Sequence, residues 1–160
     1  MNPFAECLAK RHNPRMPLAE DIASLTVSDA LAALDTKRIT SREYVQTLRE
    51  RIAAHNPALN AILFLNEGAT QEADRLDKLR AEGKLLGPLH GIPMLIKDNL
   101  DVAGFPTTGA TPILRSNVPS QSAPVVKALQ DAGVIVLGVC RQSLLDKLAS
   151  DLREGLVHQG

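Results

Sequence analysis

The chain has 160 residues, 44% of them hydrophobic, and its 18 basic residues balance 18 acidic ones. That length suits one domain with a core of ordinary size, and the even charge balance argues against a nucleic-acid or anionic-membrane partner. No apolar run is long enough to span a bilayer as a helix, so a membrane role is not expected.

In chain order, residues 1–23 show little periodicity, are broken by Pro3, Pro14 and Pro17, and read as an irregular arm. Thr26 can cap a short helix, with Asp29 near its positive end and Val27, Ala30, Leu31 and Leu34 along one side. Thr40-Ser-Arg-Glu43 is a capping-box pattern. Behind it Tyr44, Val45, Leu48 and Ile52 recur at helical spacing, and Asn56-Pro57 is expected to end that helix. Leu59 to Leu65 is a short apolar segment whose type the pattern leaves open. A polar helix follows from Ala69 to Glu82, turning Ala73, Leu76 and Leu79 inward; Asp74 and Lys78 are spaced for mutual support, and Gly83 ends it.

The most informative stretch runs from Gly87 to Gly109, G-P-L-H-G-I-P-M-L-I-K-D-N-L-D-V-A-G-F-P-T-T-G. Turn signals frame the apolar run Ile92 to Ile96, which reads as a strand buried on both faces, with Pro93 tolerated at its start. Lys97, Asp98 and Asn99 then stand at the carboxyl end, where α/β folds place chemistry. His90 has no acidic partner in a triad pattern and is read as a structural histidine of the turn. Further on, Ser122-Ala-Pro124 should start a helix with a serine cap and an early proline, burying Val125, Val126, Leu129 and Ala132. Val134 to Gly138 is a second fully buried strand. Strand, loop, helix and strand imply a right-handed crossover between parallel strands of one sheet. Cys7 and Cys140 lack metal-ligand spacing, and the first residues lack a secretory pattern, so a reduced cytoplasmic protein is expected.

G-P-L-H-G-I-P, K-D-N and G-x-P-T-T-G together resemble the opening of the amidase signature family, within it the mandelamide and indoleacetamide hydrolases, over about residues 24 to 138. The resemblance implies an α/β fold: N-terminal helices followed by the start of a mixed, mainly parallel sheet with helices on its faces. It implies hydrolysis of carboxamide C–N bonds by a serine nucleophile, a bridging serine in a cis peptide, and a lysine base, without metal or organic cofactor. Lys97 matches the lysine. Asp98, Asn99, Gly104, Thr107, Thr108 and Gly109 match supporting positions that shape a loop beside the site. In the family, the stretch matching Leu59 to Leu65 is where the chain turns between helices.

The family text stops at Val139, where relatives continue into G-K-T-N and a glycine–serine loop; a smaller departure is Ser122, where relatives carry an acidic residue. Ser116, Ser120, Ser122, Ser143 and Ser150 stand in no matching motif. Three segments are therefore expected: an arm at 1–23, an amidase portion at 24–138, and an out-of-family tail at 139–160. The tail carries Leu144 or Leu145, Leu148, Leu152 and Leu156 at helical spacing. The expected protein is a truncated, inactive amidase whose family acts on small carboxamides. The alternative is a non-catalytic helper that self-associates or pairs with a complementing chain.

Overall fold

The structure, a computed structural model, describes residues 22–141, and the expectations for the N-terminal arm and the leucine-spaced tail lie outside them. Helix α1 spans Val27–Asp35 and is capped by Thr26, whose hydroxyl accepts the Asp29 N–H. Its buried residues are Ala30, Ala33 and Leu34. Val27 faces solvent instead, because it sits in the first turn, before the stripe meets its partners.

Helix α2, Ser41–Leu59, starts on the expected capping box: Thr40 Oγ1 accepts the Glu43 N–H and Glu43 accepts the Thr40 N–H. It does not stop at Pro57 but continues to Leu59, with Asn60 left-handed as the C-cap. Proline removes only one helical bond here. Asn56 secures the exit, accepting the Ala61 and Ile62 N–H groups on its side-chain oxygen and donating to the Ile62 carbonyl. The chain thus enters strand β1, Ile62–Leu65, where the family pattern suggested a turn between helices.

Helix α3, Ala69–Ala81, buries Ala73 and Leu76 completely. Asp74 pairs with Arg42 of α2 instead of Lys78, because α2 packs alongside and offers a guanidinium fork that a carboxylate can engage directly. Asp77 also reaches across, accepting the Ser41 N–H at 2.8 Å and the Arg42 N–H at 3.0 Å, two donors the start of α2 leaves without helical partners.

Strand β2 is Pro93–Lys97, helix α4 is Pro124–Asp131, and strand β3 is Ile135–Cys140. The sheet is mixed and ordered β1-β3-β2. β2 runs parallel to β3, from Pro93 opposite Ile135 to Lys97 opposite Cys140, and β1 is antiparallel to β3. Ile135 and Leu137 of β3 pack with Val45, Ala69, Ala73 and Leu76, so α2 and α3 cover one face. Val136 and Val139 pack with Ile96, Val102 and Val126, so α4 covers the other. Val136 and Val139 share a face despite odd spacing because β3 carries one extra residue against β2, between the partners of Met94 and Leu95. α1 closes one end through Leu34, Tyr44 and Ile92.

Two parts of the sequence expectation change here. β3 is buried on both sides, but β2 is not: Leu95 is 37% exposed, since β2 is an edge strand of the described sheet. On α4, Val126 is buried while Val125 is exposed, because successive residues of a helix with 3.6 residues per turn point about 100° apart. The cap residue of α4 is Ala123, not Ser122. The Ser122 hydroxyl instead accepts the Ala103 N–H across the preceding loop.

Candidate functional site

The parallel pair carries its polar groups at one end. Lys97 closes β2 and stands opposite Cys140, the last residue of β3. Its side chain is exposed and makes no ion pair among the described residues. The backbone around it is fixed from both sides. The Lys97 carbonyl accepts the Leu100 N–H, and the next residue, Asp98, donates its N–H to the Cys140 carbonyl at 2.9 Å.

Asp98 is buried. Its carboxylate accepts the Thr108 N–H at 2.7 Å, the Thr108 hydroxyl and the Ala110 N–H, while its carbonyl accepts the Gly109 N–H. Gly109 and Ala110 both have positive φ, 52° and 60°. Asp98 therefore anchors the Thr108–Ala110 turn. Gly104 bonds through its N–H to the Pro119 carbonyl, and Thr107 exchanges bonds with Asn117, so the loop is also closed across its base. Asn99 is exposed, and no hydrogen bond joins it to Lys97 among the described residues.

His90 is placed as the turn histidine. It is buried, its Nδ1 accepts the Leu86 N–H, and Nε2 lies 2.9 Å from the Leu76 carbonyl. Those partners select the neutral tautomer with the proton on Nε2. Arg80 donates to the His90 carbonyl, locking the turn to α3. Among the described residues no group of three or more His, Cys, Asp or Glu could hold a metal ion, and no helix is long and apolar enough to cross a membrane.

Cys140 is the neighbour that pattern reading missed. Composition alone makes it a lone thiol; only the register of two apolar runs sets it across from Lys97. Burial pushes its thiol above the ordinary value; the Cys140 backbone hydrogen bond and the Lys97 charge act the other way, and the Asp98 charge acts with burial. The Asp98–Thr108 contact was equally out of reach, because it depends on how a ten-residue loop returns.

Helices on both faces of a mixed sheet, with Lys97 exposed at the carboxyl end of its parallel pair, describe an α/β fold. The chain belongs to the amidase family, whose model matches residues 43–144. It is 34% identical over 119 residues to a glutamyl-tRNA(Gln) amidotransferase subunit of Acidothermus cellulolyticus, covering 74% of this chain and 24% of that protein. It is 39% identical over 112 residues to the indoleacetamide hydrolase of Bradyrhizobium diazoefficiens, covering 69% and 21%. Among solved structures, the peptide amidase of Stenotrophomonas maltophilia superimposes with a TM-score of 0.70 at 36% identity, covering 79% of this chain and 26% of that one. The chain thus spans about a quarter of the length of the relatives it matches.

Proposed function

We propose that this chain carries the lysine-bearing part of a site that hydrolyses small carboxamides, releasing ammonia and a carboxylate. The observation that supports it is the place of Lys97, at the carboxyl end of β2, unpaired, beside a loop anchored by its neighbour Asp98. In this reading Lys97 is the base. It takes the proton of a bridging serine, which takes that of a nucleophilic serine as the latter attacks the amide carbonyl. An amide of an arylacetic or similar small acid is the substrate, and the step uses no metal or organic cofactor.

The 160 residues by themselves are proposed to be inactive. No serine among them lies in a motif matching the nucleophile or the bridge. The same reading divides the chain into an arm at 1–23, an amidase portion at 24–138 and a tail at 139–160. The protein is assigned to the cytoplasm.

The test is a chimaera in which the segment after Gly138 is replaced by the corresponding remainder of the Bradyrhizobium indoleacetamide hydrolase. It should release ammonia from indoleacetamide, and Lys97→Ala should abolish the release. A chimaera that melts cooperatively yet stays inactive, or that keeps its activity without Lys97, would overturn the assignment.

A second reading, a non-catalytic helper that pairs with a complementing chain, is favoured by one observation. The outer edge of β2 has no strand partner among the described residues, and Leu95 is exposed beside it. Open edges of this kind accept further strands.

A further inference from the structure

His90 takes no part in the proposed chemistry, yet both of its ring nitrogens are committed. It is only 1% exposed, Nδ1 accepts the Leu86 N–H at 3.1 Å, and Nε2 lies 2.9 Å from the Leu76 carbonyl of α3. A neutral ring with its proton on Nε2 serves both partners. An imidazolium carries a hydrogen on each nitrogen, so its Nδ1–H would meet the Leu86 N–H head on. Protonation therefore keeps the Leu76 bond and removes the Leu86 bond.

Nothing printed on the surrounding elements compensates a charged ring. His90 makes no ion pair among the described residues. The charge bonded to this residue is positive: Arg80 donates to the His90 carbonyl at 2.7 Å and takes its counter-ion, Asp35, from α1. The other charged groups nearby in the fold are engaged elsewhere or face water. Asp77 of α3 accepts the Ser41 and Arg42 N–H groups, Lys78 is exposed, Lys84 pairs with Glu82, and Asp131 at the end of α4 pairs with Lys127. Toward β3 stands backbone, since a Cβ on Gly133 would lie 2.5 Å from His90 Cα.

The stretch that the Leu86 bond holds is short and bounded by firm anchors. The Lys84 N–H is bonded to the Leu79 carbonyl, the Leu89 N–H to the Ala132 carbonyl and the Gly91 N–H to the Gly133 carbonyl. Between them Leu85 and Leu86 are 52% and 45% exposed, so little packing opposes their release. We propose that His90 is a pH-sensitive latch: protonation of its ring frees residues 85–87, while the Leu89 and Gly91 bonds keep β2 in place.

The test uses the full 160-residue chain, followed by NMR between about pH 8 and pH 5, the range in which imidazole changes charge. The His90 ring nitrogens report the proton on Nδ1. Exchange of the Leu86 amide, corrected for its intrinsic pH dependence, reports the bond. As Nδ1 gains its proton, Leu86 protection should fall on the order of tenfold at the same midpoint, while the Ala73 and Leu76 amides of α3 keep theirs. His90→Asn sets a non-titrating oxygen near the place of Nδ1, so its Leu86 amide should stay protected throughout. His55→Gln, at an exposed position, should leave the transition unchanged. If His90→Asn fails to fold, the coincidence of the two midpoints in the parent carries the test. A Leu86 amide still protected once Nδ1 is protonated, a ring neutral down to about pH 5, the same acid loss in His90→Asn, or simultaneous loss at Ala73 and Leu76 would each overturn the proposal.

Discussion

Gly138 lies in the central strand, paired with Leu65 of β1. A Cβ there would sit 2.3 Å from the Phe64 carbonyl oxygen and 3.2 Å from Leu65 Cα. An unstrained carbon–oxygen approach is about 3.3 Å, so Gly138→Ala requires β1 and β3 to separate by about 1 Å at that point. The obstacle is the backbone of β1, which cannot rotate away as a side chain could, and overpacking of this kind costs ~3 kcal/mol, the upper end of its usual range. Alanine also restricts the unfolded chain, which offsets roughly 0.4–1 kcal/mol. The net loss is ~2 kcal/mol, or a fall in Tm of about 4–8 °C for a chain of this size. Gly104→Ala is the control: its φ is 81°, but no atom lies within 4 Å of the new carbon, so only backbone strain of ~1 kcal/mol is added. Circular dichroism melts of the two variants and the parent decide the matter. A Gly138→Ala protein that melts at or above the parent temperature would refute the packing of β1 against β3.

Lys97→Met removes the positive charge that favours the Cys140 thiolate, so the pH midpoint for Cys140 alkylation, followed by peptide mass mapping, should move up; a downward move would separate the two residues in space. Tyr44 is raised from its ordinary value by burial. It therefore contributes stability below the unfolded-chain value of about 10 that is lost as pH climbs from there through the folded value. Tyr44→Phe should flatten the alkaline decline in Tm, and an unchanged decline would assign it to other groups. Sedimentation velocity should show concentration-dependent association of the 160-residue chain through the open β2 edge, weakened by Leu95→Lys; a clean monomer at high concentration would count against that edge as a docking site.

Local rules carried most of the fold. The Thr26 cap, the Thr40–Glu43 box, the Ala73–Leu76 stripe and the apolar runs of β2 and β3 all follow from patterns within a dozen residues. What escaped them depends on distant partners. Pro57 reads as a helix end because its cost is local, whereas the Asn56 bonds that let the helix run on into β1 belong to the next element. Ser122 has a helix-cap signature, but its hydroxyl finds the Ala103 N–H nineteen residues earlier. At the site, Lys97 is legible through its position at a strand end and its motif. The clamp on Asp98 and the presence of Cys140 are not, since both arise from loop closure and register.

In the proposed function the chain supplies the lysine of an amide-hydrolysing site and not the serines. The direct measurement is ammonia release by the purified 160-residue protein from indoleacetamide and phenylacetamide, beside its Lys97→Ala variant. Both proteins should match the buffer blank, because a lone base supplies only part of the rate enhancement. Turnover above the blank that disappears in Lys97→Ala would contradict the claim and place a nucleophile within these 160 residues.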